Sequence, residues 1–412
     1  MTDISDAERD LRLVLAVQGL RAFGYGFSSV LLGTALAAGG LSPTQVGAVF
    51  ATMLAGMACV SLMAARYADR LGRRRSYLAL LIAMGISASV FALTDCFPLL
   101  LLAAFTGTLS TDPNESGPIT TLEQAMIASA PAAARAQVFG QYNAIAYLAG
   151  SLGGLLAGGP AALRDLWPNV PADQRWLLTL AVSAFLAVLV ALRLSDSVEP
   201  PTAHQSRGQL TSSRSTVRRL CALFAVDAFA GGFVVQAFLV YWFVRRYDAT
   251  PELMGAVFSI AGLLQAASSI LAGKLGERIG LLNTMVFSHL PSNLLLAALP
   301  FAPALPVAVT LLLARSALSQ MDVPARQAYV VTMVAPGERT AAAAYTNTAR
   351  YVARPVAPLA AVALSQLAWS WLPFLIAGSL RIAYDFTLFA LFRHARPSMP
   401  DETARVPSGD AQ

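Results

Sequence analysis

Long apolar stretches recur along nearly the whole chain, and they constrain its fold more than any other feature. Each is about 20 residues long, the length that an α-helix needs to cross a hydrocarbon layer roughly 30 Å thick. Apolar residues make up 56% of the 412-residue sequence and charged residues only 13%. A soluble core could not bury so much apolar surface, so the stretches predict helices that lie in a bilayer.

Twelve membrane-spanning helices are predicted, six on each side of a polar segment. They lie at about 12–37, 44–64, 77–94, 98–120, 137–158, 176–194, 219–243, 252–272, 281–299, 304–326, 340–364 and 371–392. The polar segment is rich in Ser, Thr, Pro and Arg, which is typical of a linker. We therefore expect an all-α polytopic membrane protein, with an N-terminal six-helix bundle at 1–194, a cytoplasmic linker at 195–217, a C-terminal six-helix bundle at 218–394 and a polar cytoplasmic tail at 395–412.

Basic residues are distributed unevenly over the loops between these helices. If both termini are cytoplasmic, the inner loops hold most of the arginines, whereas the outer loops hold only Arg164, Arg175, Arg245 and Arg246. This bias predicts a multi-pass protein of the cell membrane, inner or plasma, with both ends in the cytoplasm. It also accounts for the net charge of +6, so no nucleic-acid partner is implied.

The two halves of the sequence are copies of one another. Shifted by a little over 200 residues, Ser42-Pro-Thr-Gln-Val-Gly-Ala-Val-Phe50 matches Thr250-Pro-Glu-Leu-Met-Gly-Ala-Val-Phe258, and a similar shift lays Arg21 on Asp227. Because each half has an even number of spans, both copies face the same way across the membrane. The sequence therefore predicts two parallel repeats with the substrate bound between them.

The loop after the second predicted helix carries a recognisable motif. Its sequence, ARYADRLGRRR at 65–75, resembles the cytoplasmic signature of the major facilitator superfamily, with alanine where the family usually has glycine at the first position. A degenerate copy, GKLGERIG, follows at 273–280. The resemblance covers the whole chain and implies a secondary transporter that works by alternating access. We expect it to function as a monomer without a cofactor.

The two copies of this motif are expected to act as a cytoplasmic latch. Gly72 lets the chain turn sharply, and Asp69 can pair with a basic residue or cap the N-terminus of a helix. Such a contact would open and close as the halves rock. The alternative is that the arginines only fix the topology. The candidate latch residues are Asp69, Arg70, Gly72, Arg73, Glu277, Arg278 and Gly280.

Ionisable residues inside the spans are the main candidates for coupling, because a charge at that depth is costly unless it is paired or hydrated. Three pairs of repeat-equivalent positions carry opposite charges: Arg21 and Asp227, Asp112 and Arg315, and Glu123 and Arg326. The family resemblance implies that their helices line the central cavity, so we expect Arg21 and Asp227 to pair across it.

Protonation of one of these carboxylates would leave a cation unpaired and shift the conformational balance. The candidates for proton coupling or for cavity charges are Arg21, Asp112, Glu115, Glu123, Asp227, Arg315, Asp322 and Arg326. The alternative is that they form permanent structural pairs. Arg381 and Asp385, four residues apart, are expected to pair with each other, and His289 is expected to be a hydrogen-bonded core residue.

Substrate contacts are expected where corresponding helices of both halves are broken. Prolines, a glycine and polar residues interrupt the fourth and tenth spans at 111–118 and 320–327. The candidate substrate-binding residues are Gln236, Asn143, Asn347, Arg350 and Arg354. Arg350 and Arg354 stand on one helix face and could bind an anion, unless the intramembrane acids pair with them.

The function that the sequence favours is proton-coupled export of a small solute or drug by an antiporter. A proton-coupled importer or an uncoupled facilitator of a small organic anion remains open, as does a membrane sensor that does not transport. The three histidines are scattered along the chain, so no metal site is expected. No enzyme active site is indicated.

Overall fold

The computed structural model describes residues 2–38, 41–110, 117–127, 132–169, 174–199, 210, 212–335, 338–366 and 371–394. These residues form α-helices joined by turns and three short 3₁₀ segments. The helices are α1 (Thr2–Ala38), α2 (Pro43–Leu71), α3 (Arg73–Leu93), α4 (Phe97–Phe105), α5 (Pro118–Ile127), α6 (Ala132–Leu156), α7 (Gly159–Leu166), α8 (Leu178–Ala191), α9 (Arg214–Gly232), α10 (Gln236–Tyr247), α11 (Pro251–Ile279), α12 (Leu281–Ala298), α13 (Leu305–Ser319), α14 (Asp322–Thr332), α15 (Arg339–Ala353), α16 (Ala357–Gln366) and α17 (Leu372–Phe392).

The repeated sequence motif starts the second span of each half. Ser42 caps α2 because its side chain accepts a hydrogen bond from the Gln45 backbone N–H, while the Gln45 side chain accepts one from the Ser42 N–H. Thr250 caps α11 by accepting from the Leu253 N–H, and a proline opens both helices. Both starts combine a hydroxyl cap with a residue suited to the first helical turn.

Eight helical stretches within the described residues are long and apolar enough to cross a membrane. The other four spans are α1, which carries Arg21, and the interrupted pairs α4–α5, α13–α14 and α15–α16. With them the chain has twelve membrane-spanning helices arranged as two parallel repeats of six. The seventh span is also broken, between α9 and α10.

The two halves meet through a few helix pairs. Helix α1 packs on α10, α6 on α11, and α2 on α15 and α16. The backbone of Gly255 on α11 lies against the Gly154 carbonyl of α6, and a Cβ added at Gly33 would lie 2.7 Å from the Ala237 carbonyl oxygen of α10. Small residues thus allow close approach of helices from different halves. These glycine contacts lie toward the end of the bundle where α2 and α11 begin.

Candidate functional site

A compact charge cluster lies inside the N-terminal half. The guanidinium of Arg21 on α1 donates hydrogen bonds to the Glu123 carboxylate and to the Gln18 side chain. The hydroxyls of Tyr77 and Tyr142 donate to the same carboxylate at 2.8 and 2.6 Å. Arg21 is 3% exposed and Glu123 is fully buried. Helices α1, α3, α5 and α6, all of one half, thus enclose a single ion pair.

A larger cluster lies inside the C-terminal half, around Asp227 on α9. Arg350 on α15 donates to Asp227 Oδ2 at 2.7 Å, and Nη1 of Arg326 lies 3.5 Å from the same oxygen. Arg381 on α17 places its Nε 3.4 Å from Asp227 Oδ1. Arg326 also donates to Asp322 at 2.9 Å. One aspartate therefore joins arginines from three other helices.

The expected ion pair between Arg21 and Asp227 across the cavity is wrong for this structure. Arg21 binds Glu123, and Asp227 lies among arginines of its own half. The repeat still relates the two clusters, because the pair of Arg21 with Glu123 in one half occupies the positions of Asp227 with Arg326 in the other. The charges at the two positions are exchanged. The physical reason is that a pair within one half stays buried and paired while the halves separate, whereas a pair across the cavity would be broken.

An imidazole extends the C-terminal cluster onto α12. His289 Nδ1 lies 2.8 Å from Asp385 Oδ1, and its Nε2 lies 3.8 Å from Asp227 Oδ1. Asn293, one turn further along α12, donates to Asp385 Oδ2 at 3.0 Å. His289 is thus a buried, hydrogen-bonded residue, as expected. The predicted pair of Arg381 with Asp385 is wrong, because Arg381 lies against Asp227 of α9 and Asp385 binds His289 and Asn293 of α12.

The remaining predicted cavity residues are spread over the structure. Arg315 on α13 is half-buried, and Arg354 is the residue at the C-terminal end of α15. Both have interaction partners. Asn143 and Asn347 are exposed on α6 and α15. The side chains of Asp112 and Glu115 lie outside the described residues.

A small polar cavity lies at the seam between the halves. Gln236, at the start of α10, donates to Ser29 on α1 at 2.9 Å and so links one half to the other. It also lines a cavity of about 10 Å³ together with Tyr147, Ser151 and Gln265. That volume is close to the room that one water molecule needs. The arrangement brings uncharged hydrogen-bonding groups of both halves to one point.

The turns at the two predicted latch positions have the same backbone geometry. Gly72 and Gly280 adopt φ values of 92° and 88°, which residues with a Cβ rarely do. The Glu199 carboxylate accepts hydrogen bonds from the backbone N–H groups of Arg73 and Arg74, at 2.7 and 3.2 Å. A carboxylate that follows the sixth span therefore caps the N-terminus of α3.

The other predicted latch residues give a less complete picture. Arg70, Glu277 and Arg278 are exposed, and the side chain of Asp69 lies outside the described residues. In the second half, the Glu338 carboxylate accepts from the backbone N–H groups of Ser212 and Ser213 at 2.9 Å each. Both halves therefore have a glutamate that binds the backbone where a helix begins.

Sequence reasoning missed several of these groups. Tyr77 and Tyr142 gave no signal, because a tyrosine within an apolar helix is usually a packing residue. Glu199 and Glu338 lie in polar segments, where acids are common. The His289–Asp385 contact could have been suspected from two polar residues, one in the ninth span and one in the twelfth, but no sequence spacing links them.

Comparison with known proteins identifies the fold and the family. The Major Facilitator Superfamily model matches residues 14–245 and again 220–410. The membrane protein YJR124C of Saccharomyces cerevisiae is 26% identical over 423 residues, covering 94% of each chain. A crystal structure of a mutant of the nucleoside transporter NupG superposes with a TM-score of 0.73 at 14% identity, over 93% of this chain and 100% of that one. The inward-open xylose transporter XylE from E. coli gives 0.70 at 16%, over 92% and 95%.

At such identities these structures show the fold alone. The family model, in contrast, matches each half of the sequence in turn, in agreement with the internal repeat. The chain therefore belongs to the Major Facilitator Superfamily, and it is a membrane transporter of a small solute.

Proposed function

We propose that the protein exports a small solute from the cytoplasm in exchange for protons. The observation that carries the proposal is the ionic network around Asp227, which is buried and joins α9, α12, α14, α15 and α17. A proton added to such a network changes which charges are paired, and a buried charge left unpaired costs several kcal/mol. Proton binding therefore favours a different arrangement of these helices, which is what coupling requires.

The way in which the halves meet supports this direction of transport. Their glycine contacts lie toward the end where α2 and α11 begin, opposite the arginine-rich loops at 66–75 and 274–278. The positive-inside rule places those loops in the cytoplasm. The central space then opens to the cytoplasm, where an exporter collects its cargo. We place the protein in the cell membrane with both termini inside, with the boundaries 1–194, 195–217, 218–394 and 395–412 for its parts.

The seam and the turns have roles in this proposal. Gln236, Asn143 and Asn347 offer the cargo neutral hydrogen-bonding groups. The turns at Gly72 and Gly280 form the cytoplasmic latch, together with Asp69, Arg70 and Arg73 in the first half and Glu277 and Arg278 in the second. The latch closes the inner end when the outer end opens. One chain contains both halves, so a monomer suffices.

Import of an organic anion by Arg350 and Arg354 has less support. Arg350 donates to Asp227 at 2.7 Å, and Arg354 has partners of its own. At Arg350, an anionic substrate would therefore have to compete with Asp227. An uncoupled facilitator would have no need of a buried, proton-responsive network, and a sensor would have no need of two rocking halves.

Proton movement in energised everted vesicles tests the proposal. Drugs, organic anions and toxic metabolites are added one at a time while the pH gradient is monitored. We expect at least one compound to dissipate the gradient in wild-type vesicles and to have no effect with Asp227→Asn. Glu8→Gln is the matched control, because the Glu8 side chain is 68% exposed and lies outside the network. No dissipation by any compound would contradict proton-coupled export.

The same vesicles separate export from import. A labelled active compound should accumulate inside everted vesicles when their interior is acidic. Accumulation in right-side-out vesicles with an acidic exterior would instead show import. Flux that is independent of pH would show facilitated diffusion.

A further inference from the structure

We propose that His289, held between Asp385 and Asp227, is the residue that binds the transported proton. The imidazole is 4% exposed and lies between two carboxylates, with Nδ1 2.8 Å from Asp385 and Nε2 3.8 Å from Asp227. The binding of a proton at this ring stands on its own geometry, and its use in transport rests on the function proposed above. The ligand is the proton itself, and its acceptor is the Nε2 lone pair.

The carboxylates singled out in the sequence are poorly suited to this role. Glu123 already accepts hydrogen bonds from Arg21, Tyr77 and Tyr142, and protonation would displace these donors. Asp227 lies within 3.5 Å of atoms of three arginines. Both carboxylates are therefore already occupied by cations or hydrogen-bond donors.

Asp385 has a different environment. Its hydrogen-bond partners in the described part of the chain are His289 and Asn293, neither of which carries a permanent positive charge. In the resting cluster the Nδ1 proton of neutral His289 is donated to Asp385, and the Asn293 amide occupies the second carboxylate oxygen. Because the oxygens of an ionised Asp385 only accept, Nδ1 carries the proton and Nε2 is the acceptor, with the Asn293 amide nitrogen 3.1 Å from Nδ1.

Uptake of a proton at Nε2 creates a new ion pair. Asp227 Oδ1 accepts no hydrogen bond from the described residues, although Arg381 lies 3.4 Å away. The imidazolium would have one carboxylate at each ring nitrogen. No covalent bond breaks in this step, because the Nδ1 proton stays in its bond to Asp385 and the incoming proton fills the lone pair of Nε2.

Other charged groups on the neighbouring helices set the balance. Helix α12 packs against α11, α13, α14 and α17, and its imidazole also faces α9. The charged or titratable residues on these helices and on α15 include Asp227 (α9), Arg315 (α13), Asp322 and Arg326 (α14), Arg350 (α15), and Arg381, Tyr384 and Asp385 (α17). The charged residues of α11 lie toward the ends of that helix; they are Glu252, Lys274, Glu277 and Arg278. The aspartates stabilise an imidazolium and the arginines oppose it.

The consequence reaches the seam between the halves. When Asp227 pairs with the imidazolium, it pairs less strongly with Arg350 on α15. Helices α15 and α16 pack against α2 of the other half. A proton on His289 thus weakens the ion pair between Arg350 on α15 and Asp227 on α9. Helix α15 belongs to the span that contacts the opposite bundle. This sequence links proton binding to the relative position of the halves.

The sequence offers a direct measurement, since its only other histidines are His204 and His394. We would replace both with Gln and record the ¹⁵N spectrum of the remaining imidazole in nanodiscs between pH 5 and 9. We expect one titrating ring whose midpoint moves by about 1 to 3 pH units in Asp385→Asn, because a nearby charge has been removed. A ring that does not titrate, or an identical curve in Asp385→Asn, would overturn the proposal.

A transport measurement separates the proton site from the proposed function. Compound-induced proton movement should be lost in His289→Asn and retained in His394→Gln, with thermal unfolding confirming that both variants fold. Full proton movement in His289→Asn would refute the site and leave proton-coupled export intact. No proton movement in wild-type protein, with His289 titrating as expected, would refute export and leave the proton-binding residue intact.

Discussion

The two halves bury their charges in different ways. Among the described residues, the N-terminal half encloses the pair of Arg21 with Glu123, whose other contacts come from two tyrosine hydroxyls and the Gln18 side chain. The C-terminal half joins aspartates, arginines and a histidine on five helices. A closed pair has one stable arrangement, whereas a network with several cations around one carboxylate has more than one. We therefore propose that the first cluster stabilises its bundle and that the second one changes its pairing during transport.

The two clusters nevertheless have a common origin in the repeat. Arg21 and Asp227 occupy equivalent positions, and so do Glu123 and Arg326. Each half therefore retains one ion pair between its first and fourth spans, with the signs exchanged. Inverting the pair gives the C-terminal half a carboxylate at the centre, and a central carboxylate can attract several arginines at once. In the C-terminal half, His289 also contacts this pair.

The largest effect is expected from removing the centre of the larger cluster. Asp227→Asn leaves Arg350, Arg326 and Arg381 without their shared anion. We expect a loss of about 5 kcal/mol of stability, the upper end for a buried pair with one partner removed. Thermal unfolding in detergent would measure it, with Glu8→Gln as the exposed control. A midpoint equal to that of the control would contradict the central role of Asp227.

The smaller cluster should break at lower cost and should be repairable. Glu123→Gln is expected to cost about 3 kcal/mol, because the amide oxygen still accepts from one of the two tyrosines while Arg21 loses its counter-charge. Adding Arg21→Gln removes the unpaired cation and should recover at least about 1 kcal/mol. The same unfolding measurement tests this cycle. Strictly additive losses would show that the two residues do not form an isolated pair.

The smallest effects are expected from the two glutamates at helix starts. Glu199→Gln and Glu338→Gln each replace, by a neutral amide, a carboxylate that accepts hydrogen bonds from two backbone N–H groups. We expect each to cost about 1 kcal/mol, a typical value for a helix cap. Similar unfolding midpoints for the two variants would show that the halves are alike in their caps. A loss in one half as large as that of Glu123→Gln would contradict this.

The sequence predicts the scaffold well and the contacts poorly. Span length, loop charge and the internal repeat led to two parallel bundles of six helices, because these signals can be read without knowing how each helix is rotated. The same signals selected Arg21, Glu123, Asp227 and Arg326 as residues of interest. They could not show which charges meet, since pairing depends on how each helix is rotated about its axis.

The pairing errors share one cause. Arg381 and Asp385 stand four apart, a spacing that favours a pair on one helix, yet Asp385 contacts Asn293 and His289 of α12. Likewise, repeat symmetry related Arg21 to Asp227 without revealing that each has a partner closer by. In a bundle, donors on neighbouring helices compete with donors on the same helix, and the sequence does not reveal this competition.

Hydrogen bonds join the start of the first span to the segment that follows the sixth span. The carboxylate of Asp10, near the start of α1, accepts hydrogen bonds from the Ser195 and Ser197 hydroxyls at 2.5 and 2.7 Å, just beyond the sixth span. Glu199 then caps α3. Every one of these groups precedes residue 200, as does the buried pair of Arg21 with Glu123. During synthesis, this half can therefore complete its own polar contacts before most of the C-terminal half has been made, and domains built in this order fold one after the other.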